Sequence, residues 1–235
     1  MEFDQKYRRL GTNFEARFAL MEIIKPLQSS VVRFLSYKNA DNLFFPEFVS
    51  GIQRRYAFWE VPRNIGEFNL DTGAKFSTGR FKEITISALQ LYRNGIFAES
   101  QASTSSIDHF VDDLLSWAQS EFKIEYLISQ PVKRRYFSST EVKASIDVSS
   151  KFERLNKVSA MLSKMANDSG VEVASYEFSG LTIHAEPHPK NVVPTGKFVF
   201  ERRQGEKYEN NIFYSEAPVT SDQHLELLIE LEKSL

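Results

Sequence analysis

The segment from Ile84 to Ala118 constrains the fold of this chain more than any other stretch of the sequence. It begins with two apolar runs, and the dipeptide Asn94-Gly95 lies between them. Asn and Gly tolerate the positive φ angles of a two-residue type I′ turn, which suits the twist of a β-hairpin. We therefore predict a hairpin in which Tyr92 pairs with Phe97.

The predicted pairing places apolar residues from both strands on one face of the hairpin. These residues are Leu89, Leu91, Ile96 and Ala98. Further upstream, Ile84 and Ile86 are out of phase with this set, because side chains alternate between the two faces along a strand. The change of phase predicts a β-bulge near Ala88.

The residues after the hairpin predict an amphipathic helix. Its apolar positions recur with the helical period and are Ile107, Phe110, Val111, Leu114, Leu115 and Ala118. Ser105, with Asp108 three residues later, resembles a capping box and predicts the start of the helix. Asp108, Asp112 and Asp113 lie opposite the apolar stripe, where we expect solvation rather than a two-metal carboxylate cluster.

The composition is that of a globular chain with a substantial core. Of its 235 residues, 42% are hydrophobic and 20 are Phe, which argues against disorder. A formal net charge of −2 gives no polybasic signature, and the absence of Cys excludes disulfides and thiolate chemistry. The first residues lack a signal-peptide pattern and no apolar run reaches the length of a membrane span, so we expect a cytoplasmic protein.

Pro26 decides the interpretation of the N-terminal part. Residues 1–12 are polar and predict a short arm. Proline is tolerated in the first turn of a helix but not in its interior. We therefore predict a strand from Phe14 to Ile24 and a helix from Pro26 to Tyr37.

Aromatic residues are concentrated between Tyr37 and Trp59. We interpret this region as a loop that folds over the core, followed by a strand from Arg55 to Val61. The alternative is a partner-binding patch centred on three phenylalanines. These are Phe44, Phe45 and Phe48.

The stretch from Phe122 to Pro131 is the best candidate for a boundary. Beyond it, we predict a strand over residues 133–148 and a helix capped by Ser150 and Glu153 and ended by Gly170. The apolar stripe of this helix consists of Leu155, Val158, Leu162 and Met165.

Four short strands and a last helix complete the second half. The strands are predicted at residues 171–178, 181–185, 197–203 and 211–215. Thr220 and Gln223 predict the cap of the last helix, whose apolar positions are Leu225, Leu228, Ile229 and Leu231.

The two halves of the sequence share their order of predicted elements. Each reads strand, helix, about four strands and helix, at an offset of about 115 residues. This order resembles the topology of the TATA-binding protein, although no motif carries the resemblance, and chance recurrence of Ser/Thr caps is the alternative. We predict an α+β fold with antiparallel sheet and helices on one face. Its parts are an arm of residues 1–12 and two units, 13–128 and 129–235, packed as one body.

One group of residues has a spacing suited to metal binding. His184, Glu186 and His188 alternate along a predicted strand, so two imidazoles and a carboxylate share a face. Because Pro187 and Pro189 interrupt the strand, we interpret the group as a polar strand end and predict neither a metal nor another cofactor.

The sequence contains no convincing catalytic motif. The glycine-rich phosphate loops, the nucleophile elbow and the His-Glu-x-x-His metal motif are all missing. His109 and His224 fall in the first turns of their helices, where cap contacts or solvent account for them.

Basic pairs recur beside aromatic residues. They include Arg54, Arg55, Lys133, Arg134, Arg135, Arg202 and Arg203. Together with Tyr92 and Phe97 on the outer sheet face, such residues can stack on bases and bind phosphates. Scattered charges on a nearly neutral chain also serve solubility.

Our leading hypothesis is a non-enzymatic binding or assembly protein that acts through aromatic-rich surfaces. Its expected partner is another protein or a second copy of the chain, with no role for a membrane. The alternatives are a nucleic-acid-binding module and an enzyme whose site is assembled from distant residues.

Overall fold

The computed structural model describes residues 21–38, 45–128, 134–170, 175–186 and 196–235. Within these ranges the chain forms nine β-strands and four α-helices. In chain order they are β1 (Glu22–Tyr37), α1 (Phe45–Tyr56), β2 (Ala74–Phe81), β3 (Ile84–Tyr92), β4 (Gly95–Ser100), α2 (Thr104–Phe122), β5 (Tyr126–Ile128), β6 (Arg134–Lys143), α3 (Asn156–Asp168), β7 (Gly180–Ile183), β8 (Phe198–Arg202), β9 (Ile212–Ala217) and α4 (Ser221–Ser234). Two short 3₁₀ helices cover Ser149–Leu155 and Tyr208–Asn210.

All nine strands belong to one open antiparallel sheet. The strand order is β2-β3-β4-β1-β6-β9-β8-β7, and β5 pairs with the last residues of β1. At the centre, β1 and β6 pair with Arg33 opposite Arg134. The sheet therefore joins the two predicted units, and the predicted α+β class with an antiparallel sheet is confirmed.

Three helices, α1, α2 and α4, pack on the same face of the sheet and cover two clusters of buried side chains. The larger cluster lies beneath α1 and α2 and includes Val31, Ile52, Leu89, Phe110 and Leu114. The smaller cluster lies beneath α4 and includes Val142, Phe200, Phe213 and Leu228. We call the side of the sheet away from these helices the open face.

The hairpin has the predicted faces but a different turn. Leu89, Leu91, Ile96 and Ala98 are all buried, and the pairing of β3 with β4 shifts between Ile86 and Ala88, as the predicted bulge requires. However, Tyr92 pairs with Gly95, and neither Asn94 nor Gly95 has a positive φ. The type I′ prediction is therefore wrong.

Glycine is required at position 95 for a reason other than the predicted turn. It pairs with Phe34 of β1, and a Cβ atom at Gly95 would lie 2.8 Å from the carbonyl oxygen of Arg33. Glycine is needed there because the two backbones approach closely. The register differs from the predicted one by two residues, so the same side chains still face the core.

The predicted helix from Pro26 to Tyr37 is wrong, because this stretch forms most of the long strand β1. The pairing of β1 with β6 is irregular between Ile23 and Lys25 and again between Pro26 and Gln28. A bulge is one of the few places where a sheet tolerates proline. Residues 14–20 of the predicted strand lie outside the described part of the chain.

The predicted strand from Arg55 to Val61 is also wrong, since α1 extends to Tyr56. The loop interpretation of this region is wrong as well, because residues 45–56 are helical, although three of its aromatic side chains do pack onto the core. Phe48, Tyr56 and Phe58 are buried, and the Tyr56 ring contacts the Phe110 ring edge to face at 5.0 Å.

Helix α2 buries every residue of its predicted stripe. Its N-cap is Ser103, two residues before the predicted cap, and the side chain of Ser103 accepts a hydrogen bond from the backbone N–H of Ser106. The predicted capping box of Thr220 and Gln223 is confirmed at the start of α4. The two helix starts also touch, since the Thr104 N–H donates to the Ser221 hydroxyl and the Ser221 N–H donates to the Thr104 hydroxyl.

The two halves place their described elements in a similar order. After the first strand and helix, each has three strands and a helix, β2-β3-β4-α2 and β7-β8-β9-α4. Between the two helices of each half, the described residues thus contain one strand fewer than predicted, and β5 follows α2 in the first half only. The TATA-binding-protein-like repeat stays a prediction.

Candidate interaction surface

The three phenylalanines of the predicted aromatic patch are not brought together at the surface. Phe48 is buried and stacks on the ring of Trp117, with 6.0 Å between ring centroids. Its side chain therefore stabilises the packing of α1 against α2. Phe45 is the first residue of α1, and Phe44 lies outside the described residues.

The basic residues near the helices bind carboxylates of α2. Arg55 donates to both carboxylate oxygens of Asp113, and Tyr56 donates to the same side chain. Burial alone would raise the pKa of Asp113, but the hydrogen bonds from Arg55 and Tyr56 lower it below its ordinary value. Arg54 is exposed in the last turn of α1.

Arg134 also lies on the helix side of the sheet, where it contacts Asp108 at 3.0 Å. Tyr136 donates to the same carboxylate. Because alternate residues of a strand point to opposite faces, Arg135 lies on the open face. Lys133 is outside the described residues.

Arg202, the last residue of β8, and Arg203, directly after it, contact different partners. The guanidinium of Arg202 lies 5.7 Å from the centre of the Phe213 ring, which belongs to the core beneath α4. Arg203 binds Glu141 at 3.1 Å. The predicted basic residues therefore do not form one continuous surface.

A buried ion-pair network was missed by the sequence analysis. Arg33 points from β1 toward α2, its side chain is 4% exposed, and it binds both Asp108 and Asp112. Within the described residues, its Nε is buried without a hydrogen-bond partner. The expected solvation of the aspartates is therefore wrong for Asp108, whose carboxylate accepts from Arg33, Arg134 and Tyr136. The inward position of Arg33 in β1 was concealed by the erroneous helix prediction.

The histidines predicted as possible ligands do not form a site in the described residues. Strand β7 ends at Ile183, so His184 and Glu186 follow it as exposed residues, and His188 lies outside the described part. Among the described residues, no group of three or more His, Asp or Glu side chains is arranged to hold a metal ion.

His224 is buried, so the solvent explanation for it is wrong. Its Nε2 lies 2.9 Å from the Ser215 hydroxyl and its Nδ1 lies 3.2 Å from the Ser138 hydroxyl. Ser215 donates its proton to the carbonyl oxygen of Val199 and therefore accepts from the ring. Burial lowers the pKa of His224 to about 4. Since Ser215 is fully buried, this pair serves packing rather than nucleophilic attack.

A shallow depression lies on the open face beside the hairpin end. Its volume is about 370 Å³, and its lining includes Val32, Phe34, Gln90, Tyr92 and Phe97. Arg135 is directly opposite Val32 in the neighbouring strand. Tyr92 and Phe97, predicted on the outer face, do lie there together.

Among the elements that the structure describes, α3 carries the most exposed large apolar side chains. The helix forms as predicted, but its apolar stripe faces solvent rather than the core. The exposed residues, which we call the outer stripe, are Leu155, Val158, Met161, Leu162 and Met165. Their exposure ranges from 41% at Leu155 to 63% at Val158. The helix has no buried residue.

Small residues explain this orientation of α3. Ser159, Ser163 and Ala166 are half-buried on the side of the helix that adjoins one edge of the outer stripe. The hydroxyl of Ser163 accepts a hydrogen bond from the backbone N–H of Tyr176 at 2.9 Å. This bond ties the helix to the segment before β7 while the outer stripe points away from it.

The start of this helix differs from the prediction. Ser150 and Glu153 do not cap it. Instead, the side chain of Asp147 accepts hydrogen bonds from the N–H groups of Ser149 and Ser150 and begins the 3₁₀ turn that leads into α3. Gly170 follows the last turn with φ +79°, consistent with the predicted stop.

No protein-family model matches this chain, and a search of curated proteins finds no similar sequence. Among the helices that the structure describes, none combines the length and hydrophobicity needed to cross a membrane.

Proposed function

We propose that this chain is a non-enzymatic binding and assembly protein that contacts its partner through the outer stripe of α3. The observation that carries the proposal is the exposure of five large apolar side chains, four along one side of α3 and Leu155 directly before its first residue. Contiguous apolar surface of this kind is typical of protein interaction sites. Of the three phenylalanines predicted to bind a partner, Phe48 belongs to the core, and the surface proposed here is aliphatic.

The burial, hydrogen bonds and ion pairs of the polar side chains support a binding function rather than catalysis. The groups best suited to acid–base or nucleophilic chemistry, His224, Ser215 and Asp108, are enclosed or held in hydrogen bonds and ion pairs. A catalytic group must reach the reacting atoms of a substrate.

Photo-cross-linking tests this proposal. A photo-reactive amino acid at Val158 should give a protein adduct in cells, because this position lies in the outer stripe. The matched control is Ala160, which is exposed on the same helix but outside the stripe. Equal labelling at both positions, or none at either, would contradict the proposal.

A second function is favoured by the depression on the open face. Phe34, Tyr92 and Phe97 offer rings on which bases can stack, and Arg135 is close enough to bind a phosphate. Glu99 and Glu141 lie on the same face, so we rank nucleic-acid binding second.

The salt dependence of nucleic-acid binding tests this second function. If the depression binds single-stranded nucleic acid, Arg135→Ala should weaken binding and reduce the salt slope by about one. Phe97→Ala should weaken binding without changing the slope. Arg134→Ala is the control, since Arg134 binds Asp108 on the opposite side of the sheet. Fluorescence anisotropy with a labelled oligonucleotide measures all three, and an effect of the control alone would refute this site.

A further inference from the structure

The outer stripe has the spacing of a helix–helix seam. Leu155, Val158, Leu162 and Met165 follow one another at intervals of three, four and three residues, which is the heptad pattern of a coiled coil. A surface helix that packs on its own domain normally has a wider apolar face. The seam thus suits another helix of the same kind.

We infer that the outer stripe binds the outer stripe of a second copy of this chain, with the two α3 helices antiparallel about a twofold axis near Met161. This inference rests on the proposed function, because it names the partner of the same surface. In this arrangement Leu155 faces Met165 of the other copy and Val158 faces Leu162. Each of these apolar side chains then packs against an apolar side chain of the other copy.

Charged residues at the two ends of the stripe favour the antiparallel direction. Arg154, in the 3₁₀ helix that leads into α3, and Asp168, the last residue of α3, are both exposed. Each lies seven residues from Met161, a spacing of about two helical turns. Within the described residues, neither forms an ion pair. In an antiparallel pair, Arg154 of each copy lies beside Asp168 of the other, whereas a parallel pair would place like charges together. The antiparallel direction also aligns the helix dipoles favourably.

The composition of the stripe favours a protein partner over a lipid surface. Helices that lie on membranes usually carry aromatic residues among their apolar side chains and a uniformly basic polar face. The outer stripe has no aromatic residue, and Glu153 and Asp168 interrupt the basic residues around it. The seam extends for only about 15 Å, since a helix rises 1.5 Å per residue. We therefore expect a weak dimer, with a dissociation constant of about 10–100 μM.

A single introduced cysteine tests the position of the axis, because the natural chain has none. In Met161→Cys the two thiols meet across the axis, so mild oxidation should yield a disulfide-linked dimer in high yield. Lys164→Cys is the matched control, since Lys164 is exposed on the same helix outside the stripe. Equal cross-linking of the two variants would overturn the proposed axis.

A charge exchange tests the direction of the helices. Arg154→Asp should weaken the dimer about tenfold, because symmetry turns two attractive pairs into two repulsive ones. Adding Asp168→Arg to the same chain should restore the wild-type affinity. Sedimentation equilibrium measures each dissociation constant, and a dimer that is unaffected or strengthened by Arg154→Asp would refute the antiparallel pairing.

Failure of this inference is distinguishable from failure of the proposed function. Wild-type protein that stays monomeric up to about 500 μM would overturn the dimer, as would binding of the monomer to phosphatidylserine vesicles. The photo-reactive Val158 variant would still report any other protein partner. Since the stripe does not contact the core, Val158→Ser should abolish dimerisation without changing the circular dichroism spectrum or the melting temperature of the dilute protein.

Discussion

Two polar side chains in the interior are held by partners from other elements of the fold. Arg33 binds Asp108 and Asp112 of α2, while His224 contacts serines of β6 and β9. Burying a charge is costly unless a partner compensates it. The arginine is therefore kept charged and paired, whereas the histidine is kept neutral.

The neutral state of His224 predicts a loss of stability at acidic pH. Its pKa is lowered to about 4 in the folded chain, against about 6.5 in the unfolded chain, so the unfolded chain binds more protons between these values. The free energy of unfolding should decrease as the pH falls through this range, by up to about 3 kcal/mol.

Urea unfolding between pH 7.5 and pH 4 measures this effect. His224→Gln should flatten the pH dependence within the range, although the variant starts from a lower stability. His109→Gln is the matched control, because it makes the same substitution at an exposed histidine. A wild-type curve with the same slope as the His224→Gln curve would contradict the assignment.

At the scale of single elements, α2 connects the helix layer to the sheet through two kinds of contact. Its apolar side packs over β1 and β4, and its aspartates bind arginines of β1, β6 and α1. The apolar contacts exclude water, and the ion pairs limit how far the helix can shift along the sheet.

The apolar contacts should dominate the stability of α2. Leu114→Ala should lower the free energy of unfolding by roughly 2–5 kcal/mol, since Leu114 is buried in the larger cluster. Asp112→Ala should cost about 1 kcal/mol or less, because Asp112 is half exposed and Arg33 keeps its contact with Asp108. Chemical denaturation compares the two variants, and similar losses would contradict this assignment of the helix faces.

Elements with a strong local signal could be predicted from the sequence. The stripe of α2, the bulge in β3 and the capping box of α4 depend on contacts between near neighbours. The strand β1 could not be predicted, because its bulges depend on the partner strand β6 and make Pro26 acceptable there. Likewise, the helical periodicity predicted the apolar stripe of α3. It did not predict that the stripe faces solvent, which depends on the contacts of Ser163 and its neighbours.

For the whole molecule, the central pair of strands brings together segments about 100 residues apart. Arg33 lies opposite Arg134, and all contacts between β1 and β6 have a similar or larger separation. On the other side, β1 pairs with β4, which follows much sooner in the chain. The depression on the open face draws on both neighbours of β1, through Phe97 of β4 and Arg135 of β6, so it exists only when both pairings have formed.

This separation has a consequence for biosynthesis. Ribosomes add about 5–20 residues per second, so one edge of the nascent β1 waits roughly 5–20 s for β6 after β1 itself has emerged. An unpaired strand edge is a template for pairing with other chains. In translation, the centre of this sheet is therefore its most vulnerable part, and a chaperone that shields an extended segment would protect it there.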